Sequence, residues 1–280
     1  MRAFQLSPAL GLLALLWSSP ARADQTPGHE RTDLTAYTLR QNEFSVGLWR
    51  AAYGVVDQVM VGTYVPTWFA VPWLGSPIAT GFIKGSVALE PRLAVSAQAG
   101  FAYLDADVIA AELSDSSVSA SDFLAVPLEL SISMRVAPRF SASLQGTWTY
   151  IGAAAELPLD DSIESEVGGA VATSTLSASL LLELRLTRVF ALTLHESLRV
   201  WQAGLVTHGT FEQNATTVDF DLEVPQNNTL MGNVVPGVAF SWQHVNLQLG
   251  VGYGNNWLPV VRLPLPKRTL VLELDCYVRF

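Results

Sequence analysis

Residues 124–136 read LAVPLELSISMRV. Leu124, Val126, Leu128, Leu130, Ile132, Met134 and Val136 are apolar, and between them lie Ala125, Pro127, Glu129, Ser131, Ser133 and Arg135. A repeat of two sustained over that length puts one set on each face of a β-strand and has no helical reading. The pattern recurs along the chain. In 140–150, Phe140, Ala142, Leu144, Gly146, Trp148 and Tyr150 alternate with Ser141, Ser143, Gln145, Thr147 and Thr149. In 172–186, Leu176, Ala178, Leu180, Leu182, Leu184 and Leu186 oppose Ser177, Ser179, Glu183 and Arg185. The last residues, TLVLELDCYVRF (269–280), set Leu270, Leu272, Leu274, Cys276, Val278 and Phe280 against Val271, Glu273, Asp275, Tyr277 and Arg279.

Composition says what the apolar face meets. Half of the 280 residues are hydrophobic and only 15% are charged, against about 25% charged in ordinary soluble domains. The rival reading is a bundle of membrane helices, since 58–83 carries no charge. That stretch contains Pro66, Pro72 and Pro77, and each proline costs about 3 kcal/mol inside a helix. At the start, Arg2 precedes an apolar run at 9–17, too short to span a bilayer, and Ala21-Arg22-Ala23 is a small-x-small cleavage pattern. Residues 1–23 are therefore expected to be a secretory signal cleaved after Ala23, with 24–33 a periplasmic segment and 34–280 the folded body. Losing Arg2 and Arg22 leaves 14 basic against 25 acidic residues, a net −11, which disfavours a nucleic-acid partner. The lone Cys276 excludes an intramolecular disulfide, and no cofactor is expected.

Strand length and surface pattern choose between a soluble sandwich and a membrane barrel. The strands run to about 11–14 residues, beyond the usual 5–6 and long enough for a tilted crossing. Trp68, Phe69, Trp73, Tyr103, Trp148, Tyr150, Trp201, Tyr253 and Trp257 crowd their ends, where membrane barrels carry aromatic girdles. In lipid every backbone amide must pair, so such a sheet has to close. The expected fold is an all-β, closed, antiparallel up-and-down transmembrane barrel. Eleven strands count directly: 44–54, 57–68, 79–89, 93–104, 122–136, 140–152, 172–186, 189–202, 230–242, 245–256 and 268–280. Residues 34–39 (LTAYTL) supply a twelfth in this reading, and ten follow if 57–89 is weaker than it looks. Tight turns fall near 56–57, 91–92, 138–139, 187–188 and 244–245, with EPRLAVSA, APRFSASL and LTRVFALT repeating at three of them. Long connections at 105–122, 153–170 and 203–229 lie on the other side, the outer side in membrane barrels.

With its signal segment, hairpin series and terminal phenylalanine, the chain resembles small outer-membrane β-barrels of Gram-negative bacteria. The segments TAYTLRQNEFSVGLW and YGVVDQVMVGTYV are similar to the opening hairpin of uncharacterised barrels. The resemblance implies a cell-outer-membrane location, contact with lipid and lipopolysaccharide, and recognition by the barrel assembly machinery through Leu272, Leu274, Cys276, Val278 and Phe280. It implies no substrate.

By parity, Lys84, Glu129, Arg135, Glu183, Arg185, His195, Arg199, Glu273, Asp275 and Arg279 face the lumen, with mixed signs that suit interlocking ion pairs. Glu196 falls on the lipid parity, which requires a bulge or a different register there. Fourteen of the 25 acids lie in the three long connections, which hold no Lys or Arg inside them. Such a rim attracts cations. Divalent-cation bridging to lipopolysaccharide and a plain solvated surface fit it too. DADV at 105–108 lacks the Gly and distal Glu of a calcium loop. Outer-membrane phospholipases have a His-x-Ser-Asn pattern in a strand. Here LHESL (194–198) has His195 and Ser197 but Leu198 in place of Asn. Omptin-type proteases pair Asp-x-Asp with Asp-x-His; Asp105 and Asp107 fit the first half, and His208 lacks its aspartate. No complete catalytic set is legible, so the chain is expected not to be an enzyme. The expectation is a narrow passive channel for small solutes, cationic ones included, with an acidic extracellular mouth. The alternative is a non-conducting structural or surface-interaction barrel.

Overall fold

The structure, a computed structural model, describes residues 32–68, 78–105, 119–160, 165–213, 216–224, 230–242, 245–258 and 263–280. They form one antiparallel sheet of β1 (Phe44–Gly47), β2 (Arg50–Val56), β3 (Val59–Tyr64), β4 (Ile78–Glu90), β5 (Leu93–Asp105), β6 (Ser119–Ala137), β7 (Phe140–Asp160), β8 (Ser165–Arg185), β9 (Phe190–Gln202), β10 (Leu205–Gln213), β11 (Thr216–Val224), β12 (Met231–Ser241), β13 (Val245–Leu258) and β14 (Leu263–Arg279). β1 pairs with both β2 and β14, β8 with β9, and β9 with β12. Twelve strands therefore close a circuit, β1–β9 and β12–β14. β10 prolongs β9 along the same edge of β8, from Ala172↔Val206 to Ser165↔Gln213, and β11 is one extra strand beyond it.

Twelve strands were expected, but a different element supplies one of them. Residues 34–39 are not a strand. They lie inside the barrel, with Leu34, Thr35, Ala36 and Leu39 buried. The wall position they would take is filled because the expected strand 44–54 folds at Leu48-Trp49 into the hairpin β1–β2. Two long connections also differ from expectation. The β7–β8 ladder runs unbroken from Phe140↔Leu184 to Pro158↔Glu166, and β10–β11 is a paired hairpin. The cluster of acids in both segments reads as loop, although Val218, Phe220, Leu222 and Val224 alternate with Asp219, Asp221 and Glu223 along β11. At 21 residues each, β7 and β8 are about twice the length of a membrane crossing.

Burial alternates as the sequence does. On β6, Ala125, Glu129, Ser131 and Ser133 are buried, whereas Leu124, Leu128, Leu130, Ile132 and Met134 are exposed. Leu130 and Leu272 are each 69% exposed. An apolar surface of this extent is a lipid-facing belt. At the turn-side end of the belt Phe240 stacks on Trp242 and meets Phe190 at a tilt, and Trp201 and Tyr253 stand exposed at the other. Phe190 and Trp201 share β9. Their separation is about 36 Å along the strand and, at a tilt of about 40°, about 28 Å of bilayer. Glu196 breaks the belt. Its register is continuous, Leu180↔Glu196↔Val234, so no bulge intervenes and its side chain stands on the outward face.

Candidate functional site

The residues preceding β1 form a strap that enters from the turn side and climbs inside the wall. Asn42 Nα donates to Gly54 O at 2.8 Å, and Gly54 Nα to Glu43 O at 2.8 Å. A Cβ on Gly54 would lie 1.8 Å from Arg40 O, so only glycine lets the strap pass there. Leu39 then packs with Ala52, Met60, Tyr64 and Phe82 in an apolar core inside the lumen. Higher up, Ala36 Nα donates to Ser133 Oγ at 2.7 Å. Lys84 Nζ donates to the carbonyls of Thr32 and Thr35 at 2.7 and 2.6 Å. At the top of the strap Asp33 forms an ion pair with Arg50 on β2. A buried ammonium needs acceptors, and Lys84 finds them on a segment that alternation alone assigns to the wall.

Above the strap lies a cavity of about 180 Å³. Its lining includes Asp33, Arg50, His195, Ser197, Gln248 and Glu273. His195 and Ser197 alternate on β9, so both point inward. Glu273 arrives from β14, separated from β9 in the wall by β12 and β13. His195 Nδ1 is bonded to Glu273 Oε1, and His195 Nε2 lies 3.1 Å from Ser197 Oγ. With Glu273 accepting from Nδ1–H, the Nε2 lone pair is left to accept the Ser197 hydroxyl proton. Gln248 Nε2 donates to Glu273 Oε2 at 3.3 Å, and Ser179 Oγ lies 3.0 Å from Ser197 Oγ. Among the described residues, Asn233 Oδ1, Gln248 Oε1 and Trp257 Nε1 are buried without a partner, and all three residues line this cavity. A site with open donors and acceptors suits a polar occupant, water or solute.

The wall beside the cavity is incomplete. β14 pairs with β13 along its length, but on its other side only 277–279 pair with β1. Leu48 Nα donates to Cys276 O, and the Trp49 indole donates to Leu274 O at 2.6 Å. Above these contacts no described strand pairs with β14 on that side. Trp49, Leu272 and Leu274 line the cavity there, so it reaches this seam.

The remaining lumen charges also have partners. Glu129 accepts from Gln145 Nε2 at 2.6 Å. Glu183 and Arg185 pair with each other at 2.6 Å on one strand. Arg279 lies 3.9 Å from Glu43 and over the Tyr277 ring, and Arg199 donates to Gln202. Arg135 and Asp275 lie on the inward parity of β6 and β14. At the loop side Ala102, Ala125 and Ile151, with Phe123 against them, form an apolar collar inside the wall. Sequence parity has no means of finding Arg50, Asp33 or Trp49, nor the meeting of Glu273 with His195 78 positions away. Among the described residues no cluster of three His, Cys, Asp or Glu could hold a metal. Asp107, Glu112, Asp115, Asp161 and Glu164 of the acidic connections lie outside the described residues, as do Ala21, Ala23, Phe69 and Trp73.

No protein-family model and no curated protein matches the sequence. Among solved structures the barrel is similar to the CymD monoaromatic hydrocarbon channel, with 10% identity, TM-score 0.46, and 85% of this chain and 84% of that one covered. The toluene transporter TodX of Pseudomonas putida gives 9% identity and TM-score 0.47 over 84% of this chain and 66% of that one. The outer membrane protease OmpT of Escherichia coli gives 8% and 0.37 over 85% and 91%. The likeness is one of barrel architecture.

Proposed function

We propose that the protein is a passive outer-membrane conduit for small solutes, reached after export with a cleaved signal and assembly through Phe280. The observation that carries this reading is the partly open cavity between strap and wall, lined by polar and apolar groups alike, which extends to the seam at β14. The strap lies inside the lumen against β2, β3, β4 and β6, so the seam offers a sideways route that leaves the strap in place. The acidic connections would concentrate cationic solutes at the loop-side mouth. Anionic lipopolysaccharide is the expected partner of the same acids through divalent cations.

The strap also favours a second reading, a non-conducting barrel with structural or surface-interaction roles. Lys84, Ser133 and Leu39 anchor it at three heights. Planar-bilayer recording and liposome uptake of the refolded protein separate the two. A conduit gives current or solute flux above protein-free membranes, and Trp49→Ala, which uncaps the seam, raises flux of small apolar solutes. Absence of any flux in both proteins would leave the structural reading standing.

A further inference from the structure

We infer that Ser197, His195 and Glu273 form a nucleophilic site that hydrolyses small carboxylic esters inside the barrel. A serine hydroxyl becomes a useful nucleophile when a base takes its proton and a third group fixes the base. That chain is present here: Ser197 Oγ to His195 Nε2 at 3.1 Å, and His195 Nδ1 to Glu273. Hydroxyl and imidazole lie on one strand two residues apart, which holds their spacing through the pleat. The carboxylate comes from β14, with two strands between it and β9 around the curved wall, and is itself held by Gln248.

A second, independent observation is the cavity. It exposes both Ser197 and His195 to an occupant, and three lining polar atoms have no partner among the described residues. Asn233 and Gln248 are 8% and 5% exposed, and each has its amide nitrogen committed elsewhere, to Asn255 O and to Glu273. Their free atoms are therefore acceptors, suited to the O–H of the attacking water or of the alcohol once it is released. Trp257 Nε1–H and the Ser179 hydroxyl are the donors available for a carbonyl oxygen that gains negative charge. The volume admits a short acyl group, and the Trp49–Leu274 side of the cavity is apolar.

In the reaction Ser197 Oγ bonds to the ester carbonyl carbon as its proton passes to His195 Nε2. The bond from that carbon to the alcohol oxygen breaks, and His195 returns the proton to the leaving alcohol. Water then attacks the acyl-serine with His195 again as base. The Ser197–acyl bond breaks, the acid leaves, and the hydroxyl is restored. Ser197 and His195 are the catalytic residues; Glu273 is a positioning residue. Nothing in this step requires solute to cross the membrane, so it stands apart from the conduit reading.

The test uses the refolded mature barrel in detergent, a fluorophosphonate probe, and p-nitrophenyl acetate and butyrate. Wild type is expected to carry one probe at Ser197, located by peptide mass spectrometry, and Ser197→Ala none. His195→Ala should slow labelling and ester hydrolysis about 100-fold or more. Glu273→Gln should do likewise while Glu273→Asp restores part of the rate, a rescue that a purely structural pair would not show. Ser143→Ala, a buried lumen serine away from the cavity, should label as wild type. Heat-modifiable gel migration shows that each variant is folded. A folded wild type that takes no probe at Ser197, or that labels equally in His195→Ala, overturns the assignment.

Discussion

Replacing Lys84 with methionine tests whether the strap is a held plug. Lys84 is 3% exposed and donates to two strap carbonyls, at 2.7 and 2.6 Å. Hydrogen bonds to a charged donor contribute about 1.5–3 kcal/mol each, so the pair contributes about 3–6 kcal/mol. Methionine keeps the length of the stem and removes the desolvation cost of the ammonium, which brings the net loss to the lower end, about 3 kcal/mol. At about 1.4 kcal/mol for each factor of ten, strap release becomes about 150-fold more frequent. The strap does not leave altogether, because Leu39 keeps its contacts with Met60 and Phe82 and its burial contributes about 1.5–3 kcal/mol. Hydrogen–deuterium exchange reads this directly. Peptides covering 32–37 should exchange about 100-fold faster in Lys84→Met, while those of β7 and β8 stay unchanged. The same variant should raise conductance if the conduit reading holds. Equal exchange at 32–37 in the two proteins would refute the role given to Lys84, whatever the conductance does.

Two further outcomes follow from the wall. Glu196→Leu replaces the outward carboxylate that interrupts the belt between Leu180 and Val234. It should stabilise the barrel against urea in lipid vesicles by about 1 kcal/mol, since acidic side chains on the lipid face cost less than the 2–4 kcal/mol of basic ones at the midplane; a destabilised variant would mean that Glu196 has a partner in the membrane. Phe280→Ser should lower the amount of folded barrel in cells several-fold, read by heat-modifiable migration of membrane fractions. The same variant should refold normally in detergent, because Phe280 is 74% exposed. Equal accumulation of both proteins would remove Phe280 from assembly.

Much of the wall is legible in the chain because side-chain direction in a strand depends only on position parity. Leu124 to Val136 declares its two faces without reference to any other residue. At Glu196 the side chain's charge argues against the count and for a bulge or shifted register, yet the register is continuous and the carboxylate stands outward. In β10–β11 and the outer half of β7–β8 the backbone pairs in segments whose acidic residues read as loops in the sequence, although Val218 to Val224 does alternate.

Closure is different in kind. LTAYTL has the look of a first strand, and only the barrel shows that β1–β2 takes that place and sends Leu34–Leu39 inward. Lys84 and Arg50 then have partners on the strap that no local pattern predicts. The site is likewise a product of curvature. Parity turns His195, Ser197 and Glu273 toward one interior, but it cannot say that β9 and β14, separated in the wall by β12 and β13, bend around until imidazole and carboxylate touch. The sequence by itself determined the strands, their two faces and the membrane they face, because these are properties of neighbouring residues. Which strand closes the circuit, what fills it, and which inward groups meet were decided by tertiary structure, because strand number, stagger and diameter are set together around the whole barrel.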